Sequence, residues 1–219
     1  LRVAGTVSLG GGAVQPDELT LDTPVIRTAG ESATFSAAAL TLQNSGTALA
    51  GEPATGAGTL TFNAGSFIFS DGDVALDGFA TARVNAAGGM TTSGLARLRS
   101  GADLALSTPS ISGAAGSELQ IVAAGRAVGL STPLATAPAV IDAPVGAALD
   151  INAGSIEADT QLIYPAGRVR LAADAGVTLG ENGRIDVSGR RLNPAGASVD
   201  VAGGDVEVVG RNGAVSFIA

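Results

Sequence analysis

Short triplets of apolar, polar and apolar residues recur along the chain, separated by Gly, Asn, Asp, Ser or Pro. Clear examples are Leu60-Thr61-Phe62, Leu119-Gln120-Ile121 and Val169-Arg170-Leu171. Alternation with a period of two, bounded by turn residues, predicts half-buried β-strands. The one helical candidate, residues 37–39, runs directly into the strand-like Leu40-Thr41-Leu42. The sequence therefore predicts an all-β chain.

The triplets fall into three columns that keep their order along the chain with a period of about 22 residues. The first column is predicted to begin at Leu19, Leu40, Leu60, Ala82, Leu104, Val128, Ile156, Val177 and Val206. The second holds Val25, Thr47, Phe67, Met90, Ile111, Val140, Leu162, Ile185 and Val215. The third holds Ala33, Val74, Ala96, Leu119, Leu149, Val169 and Val199, with a weak member near Ala54.

Three strands and three turns in about 22 residues return the chain to its starting azimuth, one strand spacing further on. The prediction is a parallel β-helix, or β-solenoid, with three strands per coil, nine or ten coils, and a length of about 45 Å. Residues 1–219 are expected to be a single β-helix segment of a longer protein, with loop insertions near 131–139 and 188–198.

The column assignment predicts which side chains face outward on neighbouring strands. In the third column these are Arg97, Gln120, Asp150, Arg170 and Asp200. Arg170 then lies between two carboxylates, and opposite charges on adjacent strands favour such a register. We therefore predict an ion pair between Arg170 and Asp150 or Asp200.

Composition restricts the chemistry that this chain can perform. Its 219 residues include no His and no Cys, and its 12 basic residues are all Arg. A Lys-containing phosphate loop, a Ser-His-Asp triad, a Cys nucleophile and His or Cys metal ligation are thus excluded. We expect no enzymatic activity and no cofactor. Abundant small apolar residues and only 3% aromatic residues favour a narrow core that accepts large rings poorly.

Charge and hydropathy limit the partners. The net charge of −8 argues against nucleic-acid binding, since the Arg residues are scattered among 20 acids. No apolar stretch is long enough to span a membrane.

The densest acidic cluster contains Asp71, Asp73 and Asp77 and superficially suggests calcium. It lacks both the ligand series of an EF-hand and tandem Gly-rich nonapeptides, so we interpret these Asp residues as turn residues. Similarly, Asn182-Gly183 and Asn212-Gly213 are interpreted as tight turns, and Tyr164 as a packing residue at a coil corner.

Some enzymes that act on polysaccharides are also β-helices, and hydrolases of this kind need two carboxylates that face each other across a sugar. The candidate acids here are Asp150, Asp186, Asp200 and Glu207. We place them on different columns or distant coils, each pointing outward alone. No convergent catalytic pair is predicted.

Residues 60–130 carry a family resemblance. The segments that carry it most clearly are Leu60-Thr61-Phe62-Asn63-Ala64-Gly65, Ala75-Leu76-Asp77-Gly78-Phe79 and Gly101-Ala102-Asp103-Leu104-Ala105-Leu106-Ser107-Thr108-Pro109. They resemble repeats in the body or C-terminal half of the filamentous haemagglutinin family, which are large exoproteins exported by two-partner secretion. The Asn-Pro-Asn motifs of that family's secretion domain are absent, as Ala195 follows Pro194.

The resemblance implies a right-handed β-helix outside a Gram-negative cell, exported through an outer-membrane two-partner secretion transporter. It implies a structural or adhesive rod at the cell surface that functions in adhesion, biofilm formation or display of a distal domain. A host receptor or a polysaccharide is the expected partner, together with rod-to-rod association. The alternatives are a carbohydrate-binding or polysaccharide-active passenger domain, the stalk of a contact-dependent toxin, and a self-assembling extracellular filament.

Overall fold

The computed structural model describes residues 2–3, 16–49, 51–133, 142–193 and 198–218. Within these ranges every regular element is a β-strand. The strands are β1 (Arg2–Val3), β2 (Glu18–Asp22), β3 (Val25–Arg27), β4 (Ala33–Gln43), β5 (Thr59–Phe69), β6 (Gly72–Asp77), β7 (Thr81–Ala86), β8 (Met90–Thr92), β9 (Leu95–Ser100), β10 (Asp103–Ser107), β11 (Ser110–Gly113), β12 (Glu118–Ser131), β13 (Ala148–Asp159), β14 (Gln161–Ile163), β15 (Arg168–Leu179), β16 (Arg184–Asp186), β17 (Arg190–Leu192), β18 (Val199–Val201), β19 (Asp205–Gly210) and β20 (Val215–Phe217). The described residues contain no helix long and apolar enough to cross a membrane.

The strands stack into three parallel faces, which we number in the order in which the chain visits them. Face 1 contains β1, β2, the second halves of β4 and β5, β8, β11, β14 and β16. Face 2 contains β3, β6, β9, the first halves of β12, β13 and β15, and β19. Face 3 contains the first halves of β4 and β5, β7, β10, the second halves of β12, β13 and β15, and β20.

This arrangement confirms the predicted all-β parallel solenoid. It has about seven turns of about 24 residues each. The predicted period of 22 residues is slightly short, and the predicted nine or ten coils are too many, because some segments leave the coil without adding a turn. Seven strand spacings give a length of about 34 Å rather than 45 Å.

Alternation along each strand builds the core. In β12 the inward-facing Leu119, Ile121, Val128 and Leu130 are all buried, while the alternate residues Gln120 and Gly129 face outward. Each inward side chain stacks on its counterpart one coil away; Leu119, for example, pairs in register with Leu149. The core is therefore a set of apolar columns parallel to the long axis.

The central part of the predicted register is confirmed. The confirmed first-column positions are Leu60, Ala82, Leu104, Val128, Ile156 and Val177, all on face 3. The confirmed second-column positions are Phe67, Met90, Ile111, Leu162 and Ile185, all on face 1. The confirmed third-column positions are Ala96, Leu119, Leu149 and Val169, all on face 2. Val74 lies on face 2 but pairs with Leu98, so its predicted register was wrong by two residues.

The predicted columns were wrong near the N-terminus. Leu19 and Leu40 stack below Phe67 on face 1 rather than below Leu60. Correspondingly, Val25 belongs to face 2 and Ala33 to face 3.

The cause lies between β4 and β5, where the described residues contribute no strand to face 2, and β3 pairs directly with β6. Thr47 and Ala54, which were predicted column members, lie in this segment outside the strands. The error followed from assigning three strands to every coil.

A second departure lies near the C-terminus. The predicted insertion at 188–198 contains β17, which pairs antiparallel with β18 to form a hairpin separate from the three faces. Val199 therefore belongs to this hairpin and not to the third column. Val206 instead pairs with Val169 on face 2, and Val215 with Val177 on face 3, so both were assigned to the wrong column.

The other predicted insertion, 131–139, begins where β12 ends. Residues 134–141, including the predicted column member Val140, lie outside the described residues. That insertion stays a prediction.

The core accepts more aromatic rings than predicted. Phe35 and Phe62 stack with centroids 5.5 Å apart, and Phe67 contacts Phe62 and Phe69 at 5.6 Å and 4.9 Å. All four rings are buried. Phe35 on β4 and Phe62 on β5 pair in register and stack ring on ring, whereas Phe62, Phe67 and Phe69 all lie on β5, where Phe67 contacts the other two around the bend of that strand.

Candidate functional site

The charged row along face 2 begins with Asp73 and continues through Arg97, Gln120, Asp150, Arg170 and Glu207. The predicted ion pair is confirmed, since Nη1 of Arg170 lies 3.2 Å from Oδ1 of Asp150. On its other side, Nε of Arg170 lies 3.1 Å from Oε2 of Glu207. The expected second partner, Asp200, was wrong because Asp200 lies in the hairpin and pairs with Arg191 at 2.7 Å.

This row also corrects the prediction that the candidate acids point outward alone. Asp150 and Glu207 lie on the same face, one strand on either side of Arg170. The guanidinium of Arg170 therefore occupies the space between these two carboxylates.

The two remaining candidate acids, Asp186 and Asp200, are hydrogen-bonded to residues nearby in the sequence. Hydrogen bonds from Ser188, first from its hydroxyl and then from its backbone N–H, hold the pKa of Asp186 below its usual value. The hydrogen bond from Arg191 likewise lowers the pKa of Asp200. Both carboxylates therefore stabilise turns of the last coil and its hairpin.

The three carboxylates of the acidic cluster, Asp71, Asp73 and Asp77, each accept a hydrogen bond from a different donor. Asp71 accepts a hydrogen bond of 2.8 Å from the backbone N–H of Leu95. Asp73 accepts one of 2.8 Å from Nε of Arg99, and Asp77 accepts one of 2.6 Å from Nε of Arg27. In the part of the chain that the structure describes, no three acidic residues are grouped so that they could hold a metal ion.

Carboxylates at other corners make the same kind of contact with the neighbouring coil. The acceptor and donor pairs are Asp22 with the N–H of Ser45 at 2.8 Å, Asp77 with that of Ala54 at 2.8 Å, Asp103 with that of Ala127 at 3.0 Å, and Asp159 with that of Asn182 at 2.7 Å. Each partner lies 23 or 24 positions away in the sequence, which is one turn of the solenoid. These acids fasten one coil to the next.

The residues described between β4 and β5, 44–49 and 51–58, form a strap that contacts β9 of face 2 and was missed from the sequence. It binds Arg99, whose side chain is only 7% exposed and donates from Nη1 to the carbonyl of Gly51 at 3.0 Å. Further along, the hydroxyl of Thr55 donates to the carbonyl of Gly101 at 2.7 Å. The strap therefore connects the second coil with coils farther along the solenoid.

Face 3 carries a shallow groove of about 440 Å³ across its last four strands. Its outward residues are Gly129, Glu157, Thr178 and Ser216, which pair in register along the axis. Among the described residues, the side-chain carboxylate of Glu157 has no hydrogen-bond or ion-pair partner, and the residue is exposed. Glycine and hydroxyl side chains leave room above the sheet, so the groove presents hydroxyls and one exposed carboxylate to solvent.

Tyr164 is a buried packing residue, as the sequence predicted. It is 0% exposed and lies against Gly113, where a Cβ would approach its ring to 3.5 Å. Burial raises the pKa of Tyr164, while the neighbouring Thr92 hydroxyl opposes this to a smaller extent. A Cβ at Gly113 would also come within 2.6 Å of Ala147 Cβ and of Ser117 Oγ, so the glycine allows these two side chains to pack closely beside the ring.

Comparisons with known protein families, curated proteins and solved structures found no match for this chain.

Proposed function

We propose that the chain is a structural and adhesive rod segment of an extracellular surface protein, with no catalytic activity. The observation that carries this proposal is the in-register stacking of identical positions along three faces. Because each coil contacts mainly its neighbours, such a rod gains length without needing a larger core. Weak contacts repeated along one face add up through multivalency.

The contacts made by the charged side chains support a structural role. Arg170, Arg99 and the corner carboxylates are occupied by coil-to-coil contacts. In particular, a sugar placed between Asp150 and Glu207 would have to displace Arg170. The resemblance to filamentous haemagglutinins supports the location: the surface of a Gram-negative cell, reached through an outer-membrane two-partner secretion transporter.

A second candidate function, carbohydrate binding, is favoured by the groove on face 3. Its hydroxyls and the unpaired Glu157 are donors and acceptors suited to sugar hydroxyls. In this form the proposal assigns the adhesive contact to face 3 and leaves face 2 as the structural face.

The test is a binding screen of the purified chain against arrays of glycans and host surface proteins. An adhesive function predicts reproducible binding to at least one of the two arrays. Absence of binding on both arrays would contradict adhesion and favour a rod that serves only as a spacer. The groove predicts that Glu157→Gln weakens glycan binding. The matched control is Glu181→Gln, which alters an exposed acid in the chain turn that follows β15, outside the groove. It should leave binding unchanged.

A further inference from the structure

Two Asn-Gly pairs, Asn182-Gly183 and Asn212-Gly213, lie at corners of the solenoid, and their hydrogen bonds differ. An Asn followed by Gly is prone to deamidation, because the glycine nitrogen carries no neighbouring side chain that hinders its approach to the Asn side-chain amide. We propose that Asn212 is a site of spontaneous deamidation and that Asn182 is protected. This inference is independent of the proposed function.

Asn182 is held at both reacting groups. Its Nδ2 donates to Oδ2 of Asp159 at 3.0 Å, and its backbone N–H donates to Oδ1 of the same carboxylate at 2.7 Å. The attacking group would be the backbone nitrogen of Gly183, whose N–H donates to the carbonyl of Gly180 at 2.9 Å. The amide and its nucleophile must therefore each lose a hydrogen bond before they can react.

Asn212 is held only through its backbone. Its N–H donates to the carbonyl of Asp174 at 2.9 Å. Among the described residues, neither its side-chain amide nor the N–H of Gly213 has a hydrogen-bond partner, and both residues are exposed. The side chain is therefore free to turn towards the glycine nitrogen.

The reaction needs only water. The Gly213 nitrogen attacks Cγ of Asn212, the new N–Cγ bond forms, the Cγ–Nδ2 bond breaks, and Nδ2 leaves as ammonia with the glycine N–H proton. Water then opens the cyclic imide at either carbonyl. One route gives Asp at position 212, and the other gives isoaspartate, in which the former side-chain CH₂ has become part of the backbone.

The isoaspartate product has a structural consequence at this corner. Gly213 packs so tightly on the bend of β15 that an added Cβ would lie 1.4 Å from the carbonyl oxygen of Ala175. A longer backbone here has no free space, and β20 begins only two residues later, paired with Val177. Ala214 and Ser216, which line the groove on face 3, would shift with it. Deamidation should therefore loosen β20 and the adjacent end of the groove.

The test is peptide mapping by mass spectrometry after incubation of the folded chain at neutral pH. We expect conversion at Asn212 at least about tenfold faster than at Asn182, given the hydrogen bonds lost at the latter. In the urea-unfolded chain the two rates should converge. Equal rates in the folded chain, faster conversion at Asn182, or a ratio that persists in urea would overturn the proposal.

A variant supplies the matched control. Asp159→Ala removes the carboxylate that holds Asn182 and should raise its conversion several-fold, with Asn212 unchanged, provided that Tyr164 fluorescence shows an intact fold. If this variant does not fold, the proposal is still tested by the ratio of the two deamidation rates in the unmodified chain and by the loss of that ratio in urea. Asn212→Gln should abolish the isoaspartate signal in the peptide that contains position 212.

Discussion

Phe67 offers the strongest test of the packing in the aromatic part of the core. Its side chain is 0% exposed and contacts Phe62 and Phe69 at centroid distances of 5.6 Å and 4.9 Å. Phe67→Ala removes the ring from a site with Leu40 on one side and Met90 on the other. We expect a loss of about 3–5 kcal/mol in the free energy of unfolding, because neighbouring coils cannot collapse into the cavity without breaking their register.

Phe217→Ala is the matched control, because it removes the same side chain from an exposed position. Its side chain is 73% exposed, so Phe217→Ala should change the free energy of unfolding by less than about 0.5 kcal/mol. Urea unfolding followed by far-ultraviolet circular dichroism measures both variants. The fluorescence of Tyr164, in a chain with one Tyr and no Trp, reports separately on a coil farther along the rod. Equal losses in the two variants would refute the assignment of Phe67 to the core.

Three further predictions concern the strap and the titratable groups. Gly101→Ala places a Cβ 2.3 Å from a strap carbonyl and should cost about 1–3 kcal/mol in thermal or urea unfolding. Gly51→Ala meets no atom within 4 Å and should be nearly neutral; equal losses would contradict the strap. Burial raises the pKa of Tyr164 above 10.0, so the stability that it confers is complete below that pH and is lost as pH rises beyond it. Absorbance of tyrosinate should therefore appear only together with unfolding, and reversible ionisation of the folded chain would contradict this. The pKa of Asp186 is lowered from 3.8, so its contribution is present above that pH and is lost as pH falls below it. Asp186→Asn should remove that part of the acid destabilisation, and an unchanged acid transition would count against the turn.

The middle of the fold could be predicted from the sequence because there every coil contributes a strand to each face. Leu60, Ala82 and Leu104 follow one another at steps of 22 residues, and their pairing is that of the structure. The prediction failed where a coil omits a strand or gains a hairpin. Leu19 and Val206 have the right alternation for a strand, but alternation carries no information about which face a strand joins.

The site residues show the same limit. The pairing of Arg170 with Asp150 followed from the local register, whereas Glu207 became its second partner only because the hairpin removes Asp200 from the ladder. The strap was not predicted because its residues are mainly Gly, Ala, Ser and Thr, and such a composition is typical of any surface loop. Its position on face 2 depends on Arg99, whose burial is a property of the folded chain.

The stacking of the coils is tested most directly by distances between pairs of spin labels along face 3. The chain has no Cys, so labels can be placed at will on outward positions that the structure aligns in one row. A label replacing Thr178 is paired in turn with labels replacing Arg83, Thr61 and Thr34, which lie four, five and six strands away.

At about 4.8 Å per strand, the solenoid predicts mean separations of about 19, 24 and 29 Å, rising by one strand spacing at each step. Separations that fail to rise in this order, or that rise in steps unlike one strand spacing, would contradict the parallel stacking from which every other conclusion follows.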